Sequence, residues 1–302
     1  MSKQKSRREL RFSIIGAGRL GTALALALQS NGHQIASVVN RTRKGAARAI
    51  RVLGSAVSPL TAETLSDLPP ADIVLITTPD DEIRGAAEAL SRLSLERRRT
   101  VLHSSGALSS EILLPLGKSG SHIGSLHPLV SISEPRAGAI ALKGCFYCIE
   151  GDRPATAIAR RLVRELGGRH FSVNTDKKAL YHAAAVMSSG HVVALLDLAM
   201  EMLVRCGLTK AEARKVLVPL VQSTLNNLLA TDSERSLTGT FSRGDRSTVK
   251  EHLKALGSAR SEVALAAYRV LGRHSLTLAK RRRKGTERGY LEELLSETTI
   301  DK

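Results

Sequence analysis

Short apolar runs alternate with amphipathic stretches along the first 174 residues of the chain. RFSII at 11–15 reads as a strand, GAGRLG at 16–21 as a glycine-rich turn, and TALALALQSNG as an alanine–leucine helix closing at Gly32. The pattern then repeats. QIASVVN at 34–40 is a strand and RTRKGAARAIRVLG a helix ending at Gly54. ADIVLITTP at 71–79 is a strand, apolar throughout, and DDEIRGAAEALSRL a helix. TVLHSSG at 100–106 is a strand with its exit loop, ALSSEILLPL a short helix, and SHIGSLHP at 121–128 a further strand. GCFYCIEG, a helix from Pro154 to Leu166 and GRHFSVN complete the series. A continuous apolar strand is what burial on both faces requires. Strands that alternate with helices predict a doubly wound, mainly parallel α/β sheet.

From Thr175 onward only helical periodicity remains. KALYHAAAVMSSGHVVALLDLAMEMLVRCG predicts one long helix ending at Gly207. TKAEARKVLVPLVQSTLNNLLA predicts a second, with Thr209 as N-cap, Glu212 as its capping-box partner and a kink at Pro219. SRGDRSTVKEHLKAL opens a third and SEVALAAYRVLGRHSLTLAKRRRK a fourth, while the last dozen residues are polar and expected to be loosely ordered. The 302 residues therefore divide into an α/β domain over 1–174 and an all-helical domain over 175–302, whose first turns are expected to border the substrate.

Composition narrows this picture. Hydrophobic residues are 42% of the chain, but there are only four Phe, four Tyr and no Trp, so the cores must be Ala, Leu, Val and Ile. The formal charge of +17 sits largely in runs at Lys3–Arg11, Arg97–Arg99 and Lys280–Lys284. Two readings stand: a solvated basic surface, or attraction to an anion such as a phosphorylated cofactor. No nucleic-acid-binding motif accompanies the charge, so a nucleic-acid partner is not expected. No segment reads as long and apolar enough for a membrane span, and the apolar run after the basic N-terminus is too short for a signal peptide, so a cytoplasmic location is expected. Cys145 and Cys148 have the spacing of a metal knuckle, but in a strand residues three apart point to opposite faces. No metal site is expected.

The glycine motif stands between a predicted strand and a predicted helix, the context that gives it meaning. Gly16 permits the tight turn, Gly18 lets backbone approach a pyrophosphate, and Gly21 allows close helix–strand packing. Ala17, Arg19 and Leu20 complete the turn, whose amides would bind the anion at the helix N-terminus. This predicts a Rossmann dinucleotide site. The second strand ends in Asn40, Arg41 and Thr42, followed by Arg43 and Lys44, with no carboxylate where an NAD site carries one for the ribose. NADP(H) is therefore the expected cofactor.

Ligands of open α/β sheets lie beyond the C-terminal strand ends. Three such ends carry polar groups: Thr77 and Thr78 with Pro79; His103, Ser104 and Ser105; and His127. A hydroxyl and an imidazole beside a nicotinamide suit orientation of a carbonyl or hydroxyl and transfer of the accompanying proton. His127 is the candidate acid/base, unless it caps its strand; Ser104, Ser105 and His103 are the accompanying candidates. Tyr181, Ser188 and His191 fall on one face of the long helix at spacings of seven and three, either touching substrate or satisfying each other between domains. Arg243 either binds a substrate carboxylate or belongs to a helix start with Asp245 or Ser247 as cap.

IIGAGRLG, NRT, VLHSSGAL, GSLHPL, KALYHAAAVMSS and LTGTFSRGDRSTVKEHL, in this order, resemble a bacterial family of uncharacterised proteins with a Rossmann-like domain and a helical C-terminal domain of unknown function. The resemblance runs from about residue 11 to residue 280 and implies an NADP oxidoreductase. It places the chain near the 6-phosphogluconate dehydrogenase-like superfamily, which includes pyrroline-5-carboxylate reductase and prephenate dehydrogenase. His127-Pro128 is similar to the pair in prephenate dehydrogenases, where the His is catalytic, but Leu129 and Val130 follow where a glycine is expected. The superfamily also implies a homodimer formed through the helical domain. The expected function is an NADP(H)-dependent dehydrogenase or reductase of a small, anionic molecule; the alternative is a non-catalytic NADP(H)-binding redox sensor.

Overall fold

A computed structural model describes residues 8–93, 99–259, 261–282 and 289–296. The chain forms two compact units, the first ending at Ser189 and the second beginning at Gly190.

The first unit runs β1 (Arg11–Ile15), α1 (Arg19–Ser30), β2 (Gln34–Asn40), α2 (Arg43–Leu53), β3 (Ser58–Thr61), β4 (Ile73–Ile76), α3 (Asp80–Ser91), β5 (Thr100–His103), α4 (Leu114–Lys118), β6 (His122–Leu129), α5 (Pro135–Ala141), β7 (Phe146–Gly151), α6 (Arg153–Glu165), β8 (Arg169–Phe171) and α7 (Lys178–Ser188). The eight strands form one sheet in the order β3-β2-β1-β4-β5-β6-β7-β8. Pairing is parallel throughout except between β6 and β7. The sheet is thus mostly parallel and Rossmann-like. The chain winds outward from β1 to β3, then returns to β4 on the other side of β1. Such a reversal opens a crevice at the strand ends.

Alternation along the apolar strands supplies two cores at once. Phe12, Ile14, Ile73 and Leu75 pack on one face with Leu24 and Leu28 of α1 and Leu162 and Val163 of α6. Ile15, Val74 and Ile76 pack on the other with Ile83 and Leu90 of α3 and Leu116 of α4. The strand at 58–61 was not expected from the sequence. Pro59 disguises it, but β3 is a four-residue edge strand, where a missing N–H is tolerated.

The second unit runs α8 (Gly190–Arg205), α9 (Lys210–Ala230), α10 (Ser233–Ser236), α11 (Gly239–Arg243), α12 (Arg246–Ser258), α13 (Glu262–Arg282) and α14 (Gly289–Ser296). Its core gathers Val249, Leu276, Leu291 and Leu295. The capping box of Thr209 and Glu212 forms as expected, and Pro219 lies inside α9. Three expectations are corrected. The long helix breaks at Ser189, separating α7 from α8. This also removes the common face on which Tyr181, Ser188 and His191 were placed. The C-terminal segment, expected to be loose, folds over 289–296 as α14 because Leu291 and Leu295 are buried in the core. Finally, the stretch Thr175–Arg205 is long and apolar enough to cross a membrane by length and composition, although a few polar residues hide this in the sequence. Within the second unit no residue of α8 and only Ala213 of α9 is buried.

Candidate active site

The glycine turn opens the site. Gly16 adopts φ +94°, and a Cβ there would lie 2.6 Å from the Thr78 amide nitrogen. A Cβ on Gly21 would lie 2.4 Å from Thr77 Oγ1 and 2.5 Å from the Gly16 carbonyl. These two glycines let α1 and β4 close on the turn. Gly18 differs: a Cβ there would meet nothing nearer than the Gly16 carbonyl at 3.9 Å. That open face lies at the N-terminus of α1, which has no side-chain cap and no acidic residue in its first turn. Its first amides therefore remain available to an anion. Thr77 Oγ1 is committed to the Gly16 carbonyl at 2.8 Å, whereas Thr78 Oγ1 is buried without a partner.

Three cavities follow the strand ends. The first, about 470 Å³, is lined by Gly16, Gly18, Asn40, Arg41, Thr42, Thr77, Thr78 and Pro79, among others. Ala17 and Gly21 lie behind it, Ala17 accepting the Thr22 hydroxyl on its carbonyl. Thr42 caps α2 by accepting the Gly45 amide. A carboxylate reaches this cavity from outside β2. Glu82 of α3 lines the same cavity, with Oε1 3.5 Å from Arg41 Nη1. The winding that sets β4 beside β1 brings these sequence-distant residues together. Arg41 is 85% exposed, so the pair is weak and open to exchange.

The second cavity, about 320 Å³, shares Thr77 and Thr78 with the first and adds Arg19, Leu20, Asp80, Ser104, Ser105, Gly106, His127 and His182. The third, about 440 Å³, shares His127, Pro128, Val130 and His182 with the second and adds Leu129, Tyr181, Ser188 and Ser189. His127 thus stands where the second and third cavities meet. Ser104 borders the second, its hydroxyl reaching only the Ile76 carbonyl at 3.4 Å. Ser105 spends its hydroxyl accepting the Ala107 and Leu108 amides at 3.1 and 3.0 Å. His103 lines none of the three: it is 1% exposed and its Nδ1 accepts the Ser105 amide. Its role is to hold the loop. Ser188 returns its hydroxyl to Ala184. His191 and Arg243 belong to the second unit, where Arg243 grips Asp245 through Nε and Nη2. Asp245 is accordingly the N-cap residue of α12 without a side-chain capping bond.

A cluster outside the expected catalytic set lies over β6 and β7. In this antiparallel pair His127 stands opposite Cys148 and Ser125 opposite Glu150, so all four side chains share one face. Helix α7 crosses that face. Lys178 bridges the first pair, its Nζ 2.6 Å from Ser125 Oγ and 3.1 Å from Glu150 Oε1, with the Ser105 carbonyl at 3.3 Å. Tyr181, one turn on, bridges the second, its hydroxyl 2.6 Å from His127 Nδ1 and beside the Cys148 thiol. Glu150 also takes the Ser110 amide and hydroxyl. Burial, then His182 and Lys178, push His127 down to about 4; burial and Lys178 push His103 down to about 3. Both imidazoles are therefore neutral near pH 7. Burial raises the Tyr181 hydroxyl, which stays protonated.

Comparison with known proteins agrees with this architecture. No curated protein matches the sequence. Among solved structures, a putative NADP oxidoreductase from Bacteroides fragilis is 20% identical, with a TM-score of 0.75 over 89% of this chain and 98% of that one. Protein TM1727 from Thermotoga maritima is 25% identical, with a TM-score of 0.69 over 90% and 100%. A pyrroline-5-carboxylate reductase from Coxiella burnetii is 17% identical, with a TM-score of 0.56 over 96% and 100%. Residues 2–128 match the Rossmann-like domain family, and residues 145–275 match a domain of unknown function, DUF2520. The chain is thus a Rossmann-like domain followed by a DUF2520 domain, as its motifs implied.

Proposed function

We propose that the protein is an NADP(H)-dependent oxidoreductase of a small molecule. One observation carries the reading: the cavity at the glycine turn continues, through Thr77 and Thr78, into a cavity headed by the His127 imidazole. The residues present fit a dinucleotide. Gly18 leaves the approach open, the α1 amides are uncapped, and Thr78 Oγ1 is a buried hydroxyl in want of a partner. The turn and the first amides of α1 would hold the pyrophosphate, and Arg41 the 2′-phosphate. Bound there, the nicotinamide would supply or accept a hydride. His127 handles the proton, and Ser104 orients the reacting group.

The fold and the name of the Bacteroides fragilis protein support the cofactor assignment. The exposed leucines and valines of α8 and α9, Leu195, Val216, Leu220 and Leu228 among them, support pairing with a second copy through the helical unit. Calorimetry with NADPH and NADH on the wild type and on Arg41→Asp tests the cofactor. Binding of NADPH at least ~10-fold tighter than NADH, about 1.4 kcal/mol, is expected, with the preference lost in the variant. Equal affinities in the wild type would refute the NADP assignment, and no binding of either would refute the oxidoreductase reading.

A further inference from the structure

A buried polar atom beside the His127 ring has no partner that the proposed dinucleotide explains. Thr78 Oγ1 and His182 Nδ1 are both buried without a hydrogen bond. Thr78 borders the nucleotide cavity, whereas His182 lines the second and third cavities and not the first. A buried nitrogen of this kind is met by water or by a ligand. Its surroundings say which ligand can take the place of water. The His127 and His182 rings meet edge to face, with 5.4 Å between centroids. The Tyr181 hydroxyl occupies His127 Nδ1, which leaves Nε2 for a ligand. Gly106 lies against both remaining nitrogens: a Cβ there would run into His127 Nε2 and His182 Nδ1 alike. The two nitrogens thus converge beside Gly106 in the second cavity, where one ligand atom can reach both. A carbonyl oxygen has two lone pairs and a hydroxyl adds a hydrogen, so either group can bond to two imidazoles at once.

Charge limits what else the ligand carries. Among the described residues no Asp, Glu, Lys or Arg lines the third cavity. Beyond the two histidines its walls are mainly apolar, with Leu129, Val130, Ala185 and Val186. The second cavity holds one charge of each sign, Arg19 and Asp80. His127, pushed down to about 4 chiefly by burial, adds no positive charge near neutral pH. A carboxylate or phosphate placed in the third cavity would lose water without gaining a counter-charge, which is costly. Arg243, expected to clamp an anion, grips Asp245 instead.

We infer that the substrate is an uncharged carbonyl compound or alcohol, its oxygen shared by His127 and His182 and its apolar body lying in the third cavity. The inference rests on the oxidoreductase reading above and deepens it by naming the substrate class, in place of the anionic molecule expected from the sequence. His182 becomes a substrate-binding residue, and the missing side chain of Gly106 leaves room for the oxygen.

Titration of the full chain, labelled with ¹⁵N-histidine and saturated with NADP⁺, tests this without turnover, because a ketone cannot react with the oxidised cofactor. The ketones are acetone, cyclohexanone and acetophenone. Acetophenone is compared with para-acetylbenzoate and phenylglyoxylate, which carry a carboxylate at the far end of the body and beside the carbonyl. His127 and His182 are assigned by the signals lost in His127→Asn and His182→Ala. Acetophenone should move the ring nitrogens of both histidines and bind at least ~10-fold more tightly than either acid. His182→Ala should weaken acetophenone about fivefold. Either acid binding as tightly as acetophenone overturns the inference. So does a His182 ring unmoved by bound ketone, an unchanged affinity in His182→Ala, or silence from all three ketones. The comparison of acetophenone with the two acids uses the wild type alone, so it decides even if His182→Ala is unstable. Calorimetry of NADP⁺ comes first: failure to bind it defeats the reading beneath, whereas bound NADP⁺ with the wrong ligand preference defeats only this inference.

Discussion

Replacing Lys178 by Met keeps the length of the side chain and removes its charge. The Lys178 side chain is 1% exposed and that of Glu150 9%, with Nζ and Oε1 3.1 Å apart. All three ammonium hydrogens have acceptors: Ser125 Oγ, Glu150 Oε1 and the Ser105 carbonyl. The substitution leaves Glu150 with its two bonds from Ser110 but without a counter-charge. Breaking a buried pair from one side costs about 3–5 kcal/mol, mostly the penalty of the charge left behind. At roughly 2–4 °C per kcal/mol for a unit of this size, Tm should fall by on the order of 10 °C. Glu150→Gln should be costly for the same reason. The double variant should lose less than the two singles together, with a coupling of about 1–3 kcal/mol, because neither charge is then stranded. Urea unfolding of the four proteins, followed by circular dichroism, measures this. A Lys178→Met variant within ~0.5 kcal/mol of wild type, or a cycle that is simply additive, would refute the reasoning, since it would mean that water already reaches the pair.

Two further outcomes follow from the same region. A Cβ on Gly106 would lie 2.3 Å from His182 Nδ1 and 2.9 Å from His127 Nε2, so Gly106→Ala must push the rings apart. It should cost about 1–3 kcal/mol and shift the His127 ring resonances; unmoved histidine resonances would count against it. His127 and His103 are held down to about 4 and about 3 from 6.5, both chiefly by burial. The unfolded chain therefore binds more protons than the folded one between pH 6.5 and about 3. Stability should fall as pH drops through that window and be insensitive to these two groups above it. An NMR titration in which either ring protonates near 6.5 would contradict this.

The parts of the fold that could be read from the sequence are those in which neighbours in the chain are neighbours in space. The apolar run at 73–76 and the glycine turn at 16–21 carry their meaning within a few residues, and both stand where expected. Glu82 escaped notice because the Arg41 cavity is closed by the winding of β4 beside β1, which no local pattern expresses. The break at Ser189 escaped notice because alanine and valine on both sides sustain helical periodicity across it. Lys178 was overlooked for a different reason. A lysine in the first turn of a helix ordinarily faces water, and only the register of β6 against β7 places an acceptor pair beneath this one. The available signal was spacing: Lys178, Tyr181 and His182 stand at i, i+3 and i+4, and so on one face of α7.

The division of the site between the two matched families bears on what the C-terminal domain does. His127, Ser104 and the glycine turn lie within residues 2–128, whereas Cys148, Glu150, Lys178, Tyr181 and His182 lie within residues 145–275. The second segment therefore does more than add helices after a finished sheet. Its first strand, β7, is the antiparallel partner of β6, and α7 reaches back over both to grip Ser125 and His127. A Rossmann half ending at residue 128 would present His127 without Tyr181 at its Nδ1 and without the burial that, ahead of His182 and Lys178, holds it neutral. The dinucleotide turn belongs to the common fold. Under the proposed function, what the chain does with a dinucleotide depends on how the second segment dresses that one imidazole, so changes in function among proteins of this build should track residues 148, 150, 178, 181 and 182 more closely than the glycines.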